Sequence, residues 1–447
     1  MLHGDEWLEH AVLHVSAEGM IDRVETGSPK SADSRIGGIV VPGMPNIHSH
    51  CFQRLIAGTT GPSGHHTDSF WSWRKAMYRC ANTISPEQYA VVASWVFVEM
   101  LKAGYTSCAE FHYLHHQADG SAYSRPSEMS EQLFEAASLS GIAMTLLPVL
   151  YCSADFGATA VNDAQKRFAH SPRQYLQLLD MCQAVTSGQP MLETGVAFHS
   201  LRAVPEQAMT EVLQSLQDQQ CPIHIHIAEQ PAEIEGAIAH LGARPLEWLI
   251  EHYPVDQRWC LVHATHLSEH ELQAAAATQA VAGLCPTTEA DLGDGVFKTL
   301  DWLQANGQFA IGSDSNVRIS VAEELRLLEY NERLASGRRN VLTTADTTCG
   351  RFLYQHAAKA GGTAIGQPVG RLQAGYRADL VVLDGNHQLL CGRTPDAALD
   401  SWIFAGDRSM INSVWVAGRA VVEQGVHAKQ DALGSAFCRL VRDFQSL

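Results

Sequence analysis

The chain has 447 residues, 46% hydrophobic and 18% charged, with a formal net charge of −17. That is enough apolar material for a large domain plus a smaller one without disulfides. An acidic chain with no Lys/Arg run excludes nucleic acid and anionic membrane as expected partners, but leaves room for a small anionic substrate held by locally placed arginines.

The N-terminal stretch MLHGDEWLEHAVLHV has no basic region followed by an apolar one, so it does not read as a signal peptide. No apolar run reaches the length of a spanning helix. The eleven cysteines are scattered and form no CxxC pair, which suits buried free thiols in a cytoplasmic protein.

Residues 1–41 carry short alternating runs of the kind that form small antiparallel strands. The first strong β-rich run is GIVVPGMPNIHSH (38–50). Ser85-Pro86-Glu87-Gln88 then offers an N-cap, a proline at the first helical position and a capping-box glutamine. The spacing predicts a helix from there to Lys102, stopped at Gly104. Seven further β-rich runs follow: 105–113, 142–151, 194–202, 222–229, 259–266, 280–289 and 309–315. Ser320 with Glu323 makes a similar box before VAEELRLLEYNERL. ADLVVLD (378–384) and SVWVAGRAVVEQG (413–425) alternate again.

Eight β-runs alternating with helices predict an α/β chain, a TIM-like (β/α)8 barrel with insertions. A doubly wound open sheet is the alternative, but it would carry a glycine-rich phosphate loop after its first strand, and NIHSHCF is not one. The expected division is 1–41 and 371–447 for a small β-sandwich domain formed by both termini, and 42–370 for the barrel.

His48 and His50 are two apart in a strand, so both side chains share one face, which at a barrel strand's C-terminal end points into the mouth. The run IHIHIAE supplies His224, His226 and Glu229. Alternation puts His224 and His226 on the same face and does not choose between them. His226 lies nearer the end where barrel sites collect, and His224 reads as a hydrogen-bonded core histidine. His263 ends the sixth run, with His266 in the loop beyond it, and Asp314 ends the eighth. Three histidines and an aspartate suit one divalent ion of the zinc type better than calcium or magnesium, with iron, nickel or manganese as substitutes.

HxH, then HxxE, then His, then SD is an order that resembles the amidohydrolase superfamily, especially its mononuclear deaminase branch. GRLQAGYRADLVVLDGN (370–386) is similar to that superfamily's C-terminal signature. The fourth run, TGVAFHSLR, lacks the lysine that bridges two metals in binuclear relatives. More narrowly, nearly the whole chain resembles the family of formimidoylglutamate deiminases. The resemblance is carried by HSHCFQRLIAG (48–58), DSFWSWRKAMYR (68–79), MLKAGYTSCAEFHYLHH (100–116), FHSLRAV (198–204), DQRWCLVHATH (256–266) and TEADLGDGVF (288–297).

That resemblance implies zinc-dependent hydrolysis of N-formimino-L-glutamate to N-formyl-L-glutamate and ammonia in histidine degradation, by a cytoplasmic homodimer. It implies His48, His50, His226 and Asp314 as metal ligands, and Glu229, His263 and Asp314 as catalytic groups. Gln53, Arg74, Tyr113, His199 and Arg202 are implied substrate contacts, the two arginines because they can pair with the substrate's carboxylates. Trp71 and Trp73 read as lid or packing residues. The family's eighth strand commonly reads SDSH; here it reads SDSNVRIS, so Asn316 keeps a polar group but replaces an imidazole that could shuttle protons or support the metal ligands from behind, and Arg318 could add a cation near the mouth. Two rival readings are a deaminase of aminated heterocycles, which would not need the two arginines, and a catalytically degenerate protein that binds a small acid.

Overall fold

The structure, a computed structural model, describes residues 1–27, 32–59, 70–217 and 219–445, without the side chains of residues 70–72 and 445. The β-rich runs form eight parallel strands: β1 Met44–Ser49, β2 Tyr105–His112, β3 Ala143–Leu150, β4 Val196–Phe198, β5 Ile223–Ile227, β6 Trp259–His263, β7 Val281–Leu284 and β8 Gln308–Ile311. Each pairs with the next in chain order. The first and last meet through a bridge between Ser49 and Asp314, nearly closing a barrel with helices outside it. Both faces of such strands are covered, which is why they read as continuous apolar runs.

Most of the predicted runs are shorter as strands, and three of them change more than at their ends. The run 38–50 splits at Gly43, where any Cβ would collide with the Thr106 side chain, into Ile39–Pro42 and β1. The run 194–202 contributes only β4 to the barrel path, and Leu192–Thr194 pairs separately with β3. The run 280–289 stops at Leu284, and Pro286 at a first helical position starts the helix Pro286–Leu292.

The helix Pro86–Lys102 forms as expected, with the reciprocal Ser85–Gln88 box. Ser320 caps the helix Val321–Ser336 through the Glu323 amide, but the Glu323 carboxylate pairs with Arg318 instead of returning to the cap.

Ile39–Pro42 opens an antiparallel sheet with Leu380–Leu383, Ile411–Val416, Arg419–Glu423 and Val426–His427. Ile21, Val40, Leu372, Ala378, Leu380 and Val382 form a second apolar cluster from both ends of the chain. The helices Pro395–Ala405 and Gln430–Gln445 also belong to this C-terminal region, which the sequence reading took for strands alone. Among the described residues no helix is long and apolar enough to cross a membrane.

Beside the barrel mouth, the loop after β2 is tied to residues 165–170 by Arg167. It donates to the His116 and Ala81 carbonyls, while its own carbonyl accepts the His115 and His116 amides. His112, His115, His116 and His170 cluster there, with neighbouring ring centroids 4.3–4.9 Å apart. Burial, reinforced at His112 by the Arg167 guanidinium and at His170 by the adjoining His116 and His112 rings, holds both neutral and pushes each pKa down to about 3. The unfolded chain binds these protons near pH 6.5. Their contribution is therefore complete above that pH and is lost as the pH falls toward 3. His170→Phe, which keeps a ring but cannot titrate, should lose about 2 kcal/mol less stability than wild type between pH 7 and 5, read from urea midpoints at the two pH values.

Candidate metal centre and pocket

The imidazoles of His48 and His50 leave the end of β1 toward the barrel axis, and that of His226 leaves the end of β5. His48 Nε2 lies 3.1 Å from His50 Nε2 and 3.0 Å from His226 Nε2. Asp314 Oδ1 is 3.5 Å from His48 Nε2 and 3.3 Å from His50 Nε2. His50 Nδ1 donates to the Phe111 carbonyl at 2.9 Å, and His226 Nδ1 to the His199 carbonyl at 2.9 Å. Those bonds leave the Nε2 lone pairs of both rings facing inward. Burial first and the neighbouring rings second keep His48 and His226 in the neutral, ligating form. Three inward lone pairs and a carboxylate at these separations repel one another unless a cation lies between them. The N3O donor set fits a divalent ion of the zinc type.

Backbone conformation brings the aspartate in. A Cβ at Gly312 would fall 2.8 Å from the His48 carbonyl, so only glycine lets the end of β8 come this close to β1. Asp314 itself has φ +42°, and Ala228, His263 and Ala264 at neighbouring strand ends are also left-handed.

His263 Nε2 faces Glu229 Oε1 at 3.7 Å and Asp314 Oδ2 at 3.8 Å, and its Nδ1 is 3.3 Å from Glu289 Oε1. Burial alone would keep this ring neutral, but the carboxylates of Glu229, Asp314 and Glu289 outweigh it and hold the pKa well above its ordinary value. Burial raises Glu229, opposed by the His263 cation. Glu289 was missed in the sequence because it was read as strand. Pro286 three residues before it was the available signal, since a helix turns Glu289 back beneath His263.

His50, Gln53, Arg74, Tyr113, His199, Arg202, His226, Glu229, His263 and Asp314 line one cavity, with the fully buried His48 beneath it. Gln53 Nε2 donates to the Tyr113 hydroxyl at 2.9 Å. His199 Nδ1 is 3.1 Å from Ser200 Oγ, and Arg202 Nη1 donates to the Ala154 carbonyl at 3.0 Å. The Arg74 guanidinium lies 5.1 Å from the Tyr78 ring centroid. Tyr78, Tyr151 and Phe168 complete an aromatic wall that sequence reasoning did not identify. Tyr78, one helical turn beyond Arg74, had the spacing to suggest it. Trp73 lines the cavity, whereas the side chain of Trp71 and the residues Asp68 and Ser69 lie outside the described residues.

Three other residues sit apart from the cavity. His224 is buried one step down β5 and bonded through Nε2 to the Ala364 carbonyl at 2.7 Å. Asn316 is fully buried in the barrel seam, not at the mouth where an imidazole could relay protons. Arg318 is exposed and paired with Glu323, so it adds no cation to the cavity.

Residues 39–421 match the Amidohydrolase family. The chain is 47% identical to the formimidoylglutamate deiminase of Pseudomonas aeruginosa, over 97% of this chain and 96% of that protein. It is 24% identical to the 5-methylthioadenosine/S-adenosylhomocysteine deaminase of Halobacterium salinarum, over 84% and 82%. The crystal structure of an amidohydrolase from Brucella melitensis superposes with a TM-score of 0.93 at 44% identity, covering 98% of this chain and 97% of that one. An adenosine deaminase from Xanthomonas campestris with bound zinc shares the fold, at TM-score 0.81 and 21% identity, covering 100% and 96%.

His226→Asn should lower bound divalent metal to well below one equivalent. His224→Asn should leave metal content intact and cost ~1–3 kcal/mol of stability through a disturbed buried hydrogen bond. Elemental analysis with thermal melts of both variants checks this.

Proposed function

The chain belongs to the amidohydrolase family, and on that premise we propose that it hydrolyses N-formimino-L-glutamate to N-formyl-L-glutamate and ammonia, as in histidine degradation. One observation carries the reading: a single cavity joins a three-imidazole, one-carboxylate centre to two arginines, Arg74 and Arg202. The first suits hydrolysis of an amidine carbon, the second the two carboxylates of a glutamyl group. The 47% identity to a formimidoylglutamate deiminase supports the same substrate. A heterocycle deaminase would have no use for both arginines.

His48, His50, His226 and Asp314 would hold one divalent ion, with zinc the proposed metal on the strength of the N3O donor set. Bound there, the ion supplies the acidity that makes water a nucleophile near neutral pH.

The remaining roles fall to side chains of the cavity. Asp314 accepts a proton from the attacking water. His263, held between Glu229, Asp314 and Glu289, orients that water and steadies the negative charge that develops on its oxygen. The water oxygen forms a bond to the formimino carbon, and Glu229 delivers a proton to the terminal nitrogen. Asp314 then passes its proton to the same nitrogen while the hydroxyl proton on the new carbon–oxygen bond goes to the Glu229 carboxylate, so the carbon–nitrogen bond breaks, ammonia leaves, and the carbon remains as a formyl group. Gln53, Tyr113 and His199 line the space between centre and arginines and orient the chain of the substrate. The family resemblance supports a cytoplasmic homodimer; light scattering at twice the 48.8 kDa chain mass tests the assembly.

Purified protein should release ammonia from formiminoglutamate and none from adenosine or guanine; the reverse pattern refutes the substrate. Arg202→Gln should raise KM by about 10- to 100-fold, the loss of a charge-assisted hydrogen bond, with metal content unchanged. Glu229→Gln should lower kcat about 10²- to 10⁴-fold, the usual range for a lost general acid, again with metal retained.

A further inference from the structure

Around a barrel, each strand is normally tied to the next by a ladder of backbone hydrogen bonds. Between β8 and β1, among the described residues, the sheet has a single bridge, Ser49 to Asp314, and the backbone bonds there are confined to its end: the Ser313 and Asp314 amides donate to the His48 carbonyl at 3.1 and 2.9 Å, and the His50 amide to the Asp314 carbonyl at 2.9 Å. The seam is also where His48, His50 and Asp314 leave the backbone. A chain of four fully buried side chains crosses it. Asn46 Nδ2 donates to Ser313 Oγ at 2.7 Å, and Asn46 Oδ1 accepts the Ser313 amide at 3.0 Å. Ser313 Oγ donates to Asn316 Oδ1 at 2.7 Å. Asn316 Nδ2 donates to Ser49 Oγ at 3.1 Å and to the Asp314 carbonyl at 3.0 Å.

The chain has one direction. Ser313 has a single hydroxyl proton, and Asn46 occupies its acceptor side, so Asn316 must present its carbonyl to Ser313 and its amide nitrogen to Ser49 and Asp314. Reversing either amide would set donor against donor. An aspartate at 316 would turn an oxygen on the Asp314 carbonyl, and any group without a donor would leave that carbonyl and Ser49 without this bond. Both Asp314 (φ +42°) and Asn316 (φ +56°) are left-handed, a conformation that asparagine and aspartate adopt more readily than most residues. Arg54 grips the same turn from outside, donating to the Asn316 carbonyl at 2.6 Å while paired with Glu99.

We propose that Asn316 is a positioning residue for the metal centre: through the Asn46–Ser313–Asn316–Ser49 latch it reinforces the few backbone bonds that hold Asp314 against His48 and His50. The inference rests on the metal reading of those residues, and its test separates the two. Affinity for Zn²⁺ alone is measured by chelator competition on wild type, Asn316→Ala, Ser313→Ala and, as a control, Thr145→Val. Thr145 is a buried side chain bonded to the Ile365 carbonyl at 2.7 Å, away from the seam.

Asn316→Ala should bind Zn²⁺ about 10- to 100-fold more weakly, the usual effect of losing a group that orients ligands, and Ser313→Ala should weaken it in the same direction by less. Thr145→Val should lower the thermal midpoint of the metal-free protein without changing Zn²⁺ affinity. If Asn316→Ala does not fold, Ser313→Ala decides. Variants that bind as tightly as wild type, or a control weakened as much as they are, overturn the latch alone. Wild type that takes up no Zn²⁺ overturns the metal reading and the latch with it.

Discussion

Mutual repulsion among inward-facing acceptors is the constraint around which the rest of the molecule is arranged. Three imidazole nitrogens and a carboxylate oxygen converge within 3.0–3.5 Å of His48 or His50. No folded chain tolerates that arrangement unless a cation offsets it and rigid elements hold each ligand in place. The barrel provides the rigidity, since His48 and His50 at the end of β1, His226 on β5 and Asp314 just past β8 are all held by strands buried in its wall. The backbone carbonyls of Phe111 and His199 set the tautomers of two of the rings. Glycine at 312 is what allows the last strand to approach the first.

Local backbone strain is concentrated at the same end of the barrel. Ala228, His263, Ala264, Asp314 and Asn316 are all left-handed residues at strand termini. Each costs on the order of 1 kcal/mol or more in a non-glycine residue. The buried bonds that retain them also aim the functional side chains: Glu233 accepts the amides of Ala228 and Glu229, Glu289 holds His263, and the Asn316 amide holds the Asp314 carbonyl. Strain and positioning are therefore the same feature seen twice, once in the backbone and once in the side chains.

The pocket also resolves an apparent conflict in charge. A chain with net charge −17 is a poor attractor of a dianion at long range. Short-range groups dominate inside a narrow cavity, where Arg74 and Arg202 stand among Tyr78, Tyr151 and Phe168 and little water screens them. The carboxylates are gathered at the other side, around His263. Both kinds of charge line one space, which suits a substrate that is anionic along its chain and basic at its tip.

The alternating pattern of β-runs and helices was enough to specify the barrel, because strands covered on both faces leave a continuous apolar signature and Ser85-Pro86-Glu87-Gln88 a cap with its own local chemistry. The HxH pair, His226, Glu229, His263 and Asp314 were legible for the same reason: each sits at a strand end, where residue type and position together carry the signal. Other features depend on neighbours remote in sequence. The need for glycine at 43 comes from the Thr106 side chain, the half-formed cap at Ser320 from Arg318, and the role of Glu289 from a helix that turns it under His263. Asn316 shows the limit most plainly. Its identity is visible as a departure from the expected motif, and its place near Asp314 leaves open whether the residue there relays protons or supports the metal ligands. Only the tertiary structure turned its side chain into the seam between the first and last strands, because the bonds that hold it there come from Ser49 and Ser313, residues brought together by closure of the barrel and by nothing in the local sequence.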